Sequence, residues 1–213
     1  MKFLDIGANV GNYAKAAIKR GYDVIAVEAN PAIIEELKNN IPNQTVINKA
    51  VSNTDGEKIT LYVYSQHEMS TVNKTWQQMG RFSINGVFSN IGEWEEEIEV
   101  DTVTIQSLVE EYGVPDIIKV DVEEHEWEAI SSLKTKSPEL CFEWHKEGVY
   151  FVKKILDHLS ELGYKEFGVY ICNKGREDYF NRPESYTEDY DSIYESIKSL
   201  DKKNNDWGMI WCK

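Results

Sequence analysis

The sequence predicts an α/β fold in which helices pack on both faces of a mostly parallel β-sheet. Short apolar, β-branched segments alternate with segments whose apolar residues recur at helical spacing, and short connections join them. A turn containing two glycines follows the first strand at once and opens the first helix, in the segment DIGANVG at residues 5–11. These observations predict βαβ units, whose right-handed crossovers keep neighbouring strands parallel.

Strands and helices are predicted in alternation along most of the chain. The apolar or alternating segments predict strands at 2–6, 23–28, 45–51, 57–64, 99–104, 116–121, 139–144, 164–172 and 207–212. Helical spacing predicts helices at 11–20, after Pro31, and at 105–112, 124–133, 149–162 and 192–200. With no linker or internal repeat, residues 1–213 are expected to form one domain.

The segment from about 65 to 97 interrupts this pattern. Residues His67 to Glu97 have no clear period and are rich in polar and aromatic residues. Long irregular segments inside compact domains are often functional lids, so this one is expected to cover the active site. Its aromatic residues Trp76, Phe82, Phe88 and Trp94 are candidates for the wall of a substrate pocket.

Charge and composition limit the partners. The formal net charge of −14 repels phosphate backbones, so nucleic acid is not an expected partner. No apolar stretch approaches the ~18 residues of a membrane helix, and no signal peptide is recognisable. The cysteines Cys141, Cys172 and Cys212 lie singly in apolar runs, as buried reduced thiols do. A cytoplasmic protein is expected, and no pattern indicates its oligomeric state.

The turn after the first strand carries the strongest chemical signal. Gly7 and Gly11 let the backbone turn sharply and come close to a ligand. Asp5 places a carboxylate at the strand end, where it can hold a cationic amino group. A nicotinamide dinucleotide site more often carries GxGxxG here, because pyrophosphate disfavours a carboxylate. The acid favours a zwitterionic ligand, of which the methionine part of S-adenosylmethionine is an example.

Glu28 supports a nucleoside ligand. It ends the second strand, roughly twenty residues after the glycine turn. A carboxylate at this place can accept hydrogen bonds from both hydroxyl groups of a ribose.

Several segments together resemble the FkbM-type methyltransferases. They are DIGANVGNYA, VEANP, AVSN, KVDVEEHEWEAI and the terminal DWGMIWC, which span the chain from the first strand to the last. The resemblance implies a Rossmann-like class I methyltransferase fold, with a seven-stranded sheet whose last strand is antiparallel. It also implies S-adenosyl-L-methionine as the cofactor. By the same resemblance, Asp5, Gly7, Asn9 and Gly11 line the methionine part, Glu28 and Asn30 the ribose, and Val51 and Ser52 the adenine, with Ser70 and Thr71 near the cofactor.

Two features depart from that family pattern. Members usually carry glycine where Glu124 stands, so this chain adds charge and bulk at the expected head of a helix. The sequence also begins directly at the first strand, without the N-terminal helices that often cover the site. The segment at 65–97 is expected to supply that cover.

Four polar residues are candidates for the chemistry. Asp121 and Glu123 follow the fourth strand of the expected sheet, and Glu143 and His145 end the fifth, so all four converge at the carboxyl edge if those strands are neighbours. A hydroxyl nucleophile needs a general base or a metal ion. His145 is the first choice of base, ahead of His125, with Asp121 and Glu143 as further catalytic candidates and Asp121 also on the cofactor side.

Other interpretations stay open at this point. The four converging groups could instead hold Mg²⁺ or Mn²⁺, although no ligand spacing demands a metal and none is expected. The chain could be a catalytically silent cofactor-binding scaffold or, less favoured, an NAD-dependent oxidoreductase. The expected reaction is O-methylation of a hydroxyl on a small molecule or carbohydrate, where the choice of oxygen depends on the family resemblance alone.

Overall fold

A computed structural model describes residues 1–79, 92–172, 179–200 and 207–213 of the chain. The candidate pocket residues Phe82 and Phe88 lie outside these ranges. Among the described residues, every helix is too short or too polar to cross a membrane.

A seven-stranded sheet forms the centre of the molecule. The described ranges contain ten strands: β1 (Lys2–Ile6), β2 (Asp23–Glu28), β3 (Thr45–Asn48), β4 (Ala50–Val51), β5 (Lys58–Tyr64), β6 (Trp94–Val103), β7 (Ile117–Val120), β8 (Glu139–His145), β9 (Phe167–Ile171) and β10 (Trp207–Cys212). The central sheet has the order β3-β2-β1-β7-β8-β10-β9. β10 is antiparallel to both of its neighbours, and the other pairs are parallel. This confirms the predicted sheet and its antiparallel last strand.

Helices cover both faces of this sheet. They are α1 (Asn12–Lys19), α2 (Ile34–Asn40), α3 (Lys74–Met79), α4 (Ile105–Tyr112), α5 (Glu126–Ser131), α6 (Val149–Glu161) and α7 (Tyr190–Lys198). On β1, Leu4 and Ile6 belong to the core cluster that includes α4 to α7, whereas Phe3 belongs to the cluster that includes α1 and α2. Successive side chains of a strand point to opposite faces, so one apolar strand supplies both cores.

The strands differ from the sequence prediction at two places. The predicted strand at 45–51 is divided, because Asn48 ends β3 and its side chain donates to the carbonyl oxygens of Glu28 and Ala29. β4 then pairs with β6 in a separate sheet of order β4-β6-β5. β6 also begins at Trp94, five residues before its predicted start, because its outer half is exposed and lacks the apolar alternation that predicts a strand.

The glycine turn brings β1 against the end of β7. Gly7 has φ 70, a left-handed conformation that other residues adopt at a cost. A Cβ atom there would lie 1.7 Å from the backbone oxygen of Asp121. Both the backbone angle and the close approach therefore require glycine.

A buried lysine ties the same two strand ends together. Lys119 is 1% exposed, and its Nζ donates to the carbonyl oxygens of Ile6 and Gly7 at 3.1 and 2.8 Å. The amine also lies 3.2 Å from Oδ1 of Asp5 and 3.5 Å from Oδ2 of Asp121. A buried charge is stable only when it is paired and hydrogen-bonded, and Lys119 has both kinds of partner.

Replacing Gly7 by alanine is expected to lower the free energy of unfolding by about 3 kcal/mol or more. The strain of a left-handed alanine and the clash of its Cβ atom with Asp121 both contribute to this loss. Gly56 is a matched control, since it has φ 72 but nothing within 4 Å of the place that a Cβ atom would take. Gly56→Ala should cost only about 1 kcal/mol. Urea denaturation of both variants measures the difference, and equal costs would contradict the close approach at Gly7.

Replacing Lys119 by methionine is expected to lower the free energy of unfolding by about 3–5 kcal/mol, because the buried carboxylate of Asp5 and the partly buried one of Asp121 lose their cation. Lys58→Met is the control: Lys58 pairs with Asp101 at 2.8 Å, but both side chains are more than half exposed. Water screens that exposed pair, so its loss should have little effect on stability. Adding Asp5→Asn to Lys119→Met should restore part of the loss, and a loss no larger than that of Lys58→Met would refute the role of Lys119.

Candidate active site

A cavity of about 590 Å³ opens at the carboxyl edge of the central sheet. Its walls come from the ends of β1, β2, β7 and β8, from residues 66–72, and from Tyr179 and Trp207. Small-molecule sites in open α/β sheets occupy this edge and have volumes of about 300–1,000 Å³.

Glu28 binds the glycine turn at one end of this cavity. Its Oε2 accepts the backbone N–H of Asn9 at 2.8 Å, and its Oε1 accepts that of Asn30 at 2.8 Å. Burial raises the pKa of Glu28, although these two N–H donors act in the opposite direction. Each carboxylate oxygen has a second lone pair, so Glu28 can still accept hydrogen bonds from a ligand diol.

Residues 7–11 shape the cavity rather than donate to it. The N–H groups of Gly7 and Ala8 bond to the carbonyl of Val27, and that of Gly11 bonds to Ala8. The backbone N–H of Asn9 donates to the Glu28 carboxylate, and that of Val10 donates to the side-chain oxygen of Asn9. A ligand at this turn therefore contacts backbone surface, next to the first turn of α1.

Asp5 lies behind the cavity wall. It is fully buried, does not line the cavity, and pairs with Lys119. Burial raises its pKa, and the nearby Lys119 only partly opposes this. Direct contact between Asp5 and a ligand amino group, as expected from the sequence, does not fit this position. The carboxylate that lines the cavity here is Asp121, beside the amine of Lys119.

Of the eleven residues expected at the cofactor, seven line the cavity: Gly7, Asn9, Glu28, Val51, Ser70, Thr71 and Asp121. Asp5, Gly11, Asn30 and Ser52 do not. Gly11 precedes α1 in a left-handed conformation, and a Cβ atom there would lie 2.9 Å from Leu37. Asn30 is buried and caps the next turn by accepting from Ala32. Their places in the fold support the wall rather than form its surface.

Ser52 orients His125, which does line the cavity. The Ser52 hydroxyl lies 3.1 Å from Nε2 of His125, and Glu128 lies 3.6 Å from the Nδ1 atom. Burial lowers the pKa of His125 to about 4, so this imidazole is neutral at physiological pH. Its side-chain partners hold it at the cavity wall.

Three acids surround His145 at the other end of the cavity. Its Nε2 lies 3.5 Å from Oε2 of Glu143, and its Nδ1 lies 3.4 Å from Oε1 of Glu124. Burial lowers the pKa of His145, but Glu143, Glu124 and Glu123 outweigh it and raise the pKa to about 10. Burial and the charge of Glu143 raise the pKa of Glu123 well above its usual range. The indole of Trp76 stacks on the imidazole at 5.4 Å.

A left-handed turn presents Glu123 and Glu124 to this cluster. Their φ angles are 53 and 67, and α5 begins only at Glu126. The sequence-based start of that helix at 124 is therefore wrong, because two left-handed residues cannot continue a right-handed helix. Glu124 adopts a conformation that favours glycine, which agrees with the glycine expected there from the family pattern.

The segment after β5 holds this turn in place. Thr71 Oγ1 donates to the carbonyl of Glu123 at 2.6 Å, and the Asn73 amide donates to that of Glu124 at 2.8 Å. The same segment supplies cavity wall at 66–72 and the stacked Trp76. Its described part thus contacts both ends of the cavity.

The cavity-lining residues that sequence reasoning missed include Lys119, His67, Tyr179 and Trp207. Lys119 had a readable signal, since a lysine inside the apolar run IIKV must find buried partners. His67 reaches the site by tertiary packing, and its Nδ1 lies 3.5 Å from the Asn30 amide. Tyr179 packs edge-on against Tyr13, a contact between distant parts of the chain.

The donors along the cavity fit the parts of S-adenosylmethionine. Glu28 offers a carboxylate to a ribose diol, and Val51 and Leu61 offer an apolar surface to adenine. Asp121 offers a carboxylate to the amino group of a methionine.

Comparison with known proteins agrees with this chemistry. The family described as Methyltransferase FkbM domain matches residues 5–166. No curated protein is similar in sequence.

Solved structures with a similar fold include two methyltransferases. A SAM-dependent methyltransferase from Archaeoglobus fulgidus is 12% identical with a TM-score of 0.46, covering 100% of this chain and 86% of that one. A TehB-like SAM-dependent methyltransferase from Corynebacterium glutamicum is 10% identical with a TM-score of 0.42, covering 100% of this chain and 79% of that one. Both likenesses are too distant to bear on the acceptor.

The family match covers about three quarters of the chain and contains the glycine turn, Glu28 and the acidic cluster around His145. The chain therefore belongs to the FkbM methyltransferase family and is an S-adenosylmethionine-dependent methyltransferase.

Proposed function

We propose that this methyltransferase transfers a methyl group to a hydroxyl oxygen of a small molecule or carbohydrate. The observation that carries the proposal is the pair Glu143 and His145, which lines the same cavity as Glu28 but at its other end. A neutral hydroxyl is a weak nucleophile, so its oxygen must be activated by a base or by a bound cation. A carboxylate beside an imidazole can serve as proton acceptor or as ligands to a cation.

Within this proposal, the cofactor lies along the wall formed by β1, β2 and β7. Glu28 binds the ribose, Val51 contacts the adenine, and Gly7 and Asn9 form the surface beneath the methionine part. Asp121 binds the amino group, and Asp5 acts through Lys119, which it holds in place. S-adenosylmethionine bound there would supply an electrophilic methyl group on its sulfonium.

The chain's own residues then position the acceptor. Glu143 and His145 bind and activate its hydroxyl, and Trp76 holds the imidazole by stacking on it. Residues 66–72 wall the cavity, which supports a covering role for the segment at 65–97 within a single methyltransferase domain. In-line displacement depends mainly on such positioning.

The net charge and the cysteines bear on the class of acceptor and on the location that we propose. The net charge of −14 and the acids around His145 disfavour a polyphosphate acceptor such as nucleic acid. Cys141 and Cys212 are buried thiols that form no disulfide, which suits the reducing cytoplasm that we propose as the location.

Glu28→Ala is expected to weaken S-adenosylmethionine binding about 10-fold or more, because it removes a charged acceptor of ribose hydrogen bonds. Isothermal titration calorimetry measures the affinity. Glu36→Ala, an exposed acid of α2, is the control and should bind as the unmodified protein does. Unchanged affinity in a folded Glu28→Ala protein would contradict the ribose assignment.

His145→Gln is expected to lower kcat with a hydroxyl acceptor about 100-fold or more, while leaving S-adenosylmethionine affinity unchanged. His158→Gln is the matched control, because His158 bonds to the carbonyl of Leu133 outside the cavity. A screen of carbohydrate and small hydroxylated acceptors, followed by transfer of a labelled methyl group, gives the rates. If His145→Gln retains full kcat, the cluster does not activate the acceptor.

A further inference from the structure

Glu123, Glu143 and His145 form a group whose composition and spacing suit a metal ion. Each side chain offers one ligand atom, and these atoms all lie within 4.8 Å of one another. All three residues line the cavity, so the space between them is open to a ligand and to the acceptor. An ion with bonds of about 2.0–2.2 Å needs its ligand atoms a few ångströms apart, and small side-chain rotations reach that spacing.

A second observation distinguishes this group from an ordinary acidic cluster. The Oε2 atom of Glu123 is buried and has no hydrogen-bond partner among the described residues. A buried carboxylate oxygen without a donor costs free energy, and the neighbouring charge of Glu143 increases that cost. A cation between the two carboxylates removes both penalties.

Glu124 prepares His145 for this role. Its Oε1 lies 3.4 Å from Nδ1 of the imidazole, close enough to accept the Nδ1 proton in a slightly closer contact. That arrangement directs Nε2, which lies 3.5 Å from Glu143, toward the space between the carboxylates, where a cation would take the place of the Nε2 proton. Carboxylates behind metal-binding histidines fix the ring in this way. The Glu124 carboxylate packs against Gly148, where a Cβ atom would lie 2.0 Å from it.

We propose that Glu123, Glu143 and His145 bind one divalent cation of the Mg²⁺ or Mn²⁺ class, with Glu124 as the positioning residue for His145. Two carboxylate oxygens and one imidazole nitrogen favour Mn²⁺ among these ions and leave coordination positions for water and an acceptor oxygen. The role of the ion in acidifying an acceptor hydroxyl rests on the proposed O-methylation, whereas its binding does not.

The test is a titration of the full chain with Mn²⁺, without cofactor or acceptor. Binding is measured as the loss of the electron paramagnetic resonance signal of free Mn²⁺. The expected result is one saturable site per chain. Glu123→Gln and Glu143→Gln should abolish that site, and Glu124→Gln should weaken it about 10- to 100-fold. Glu68→Gln removes an acid from the same cavity outside the group and should bind Mn²⁺ normally.

Thermal unfolding distinguishes the loss of the metal site from a folding defect in the variants. Mn²⁺ should raise the Tm of the unmodified protein and of Glu68→Gln but not that of Glu123→Gln or Glu143→Gln, because only a ligand of the folded state stabilises it. Absence of saturable binding in the unmodified protein would overturn the proposal, as would normal binding in both glutamine variants. Methyl transfer that proceeds in the presence of a chelator would then leave direct proton acceptance as the means of activation.

Discussion

The structure depends on one buried cation, the amine of Lys119, held where β1 and β7 reach the carboxyl edge of the sheet. Two carboxylates, Asp5 and Asp121, and the carbonyl oxygens of Ile6 and Gly7 surround it. Each of these groups would be costly to bury alone, and together they compensate one another. Because Asp121 is one of them, the interaction that joins the strands also sets a polar group on the cavity wall.

From this point the cavity extends in two directions with different chemistry. Towards β2, Glu28 holds the glycine turn by accepting the Asn9 N–H, and its remaining lone pairs face the cavity. Towards β8, left-handed residues turn Glu123 and Glu124 against His145. Thr71 and Asn73 hold that turn from the segment after β5, so the wall of the cavity and the acidic cluster are coupled by direct hydrogen bonds.

Local pattern predicts the sheet and much of the cofactor end, because both depend on residues near one another in sequence. The alternation of apolar strands and helices predicts parallel strands, and the glycine turn and Glu28 belong to one βαβ unit. The seven-stranded sheet and its antiparallel last strand were expected from the family resemblance. The position of Asp5 behind Lys119 was not predicted, since it depends on contact between residues more than a hundred positions apart. The left-handed turn at Glu123 was hidden for a related reason: two glutamates before a helix resemble its first turn until distant donors such as Thr71 are known.

A crystal structure of the protein with S-adenosylhomocysteine tests the arrangement of cofactor and acceptor most directly. We expect the product at the carboxyl edge, with its ribose hydroxyls in hydrogen-bond distance of Glu28 and its amino group beside Asp121. The sulfur should face the cluster formed by Glu123, Glu143 and His145. A product bound away from Glu28, or with its sulfur turned from His145, would contradict the proposed arrangement.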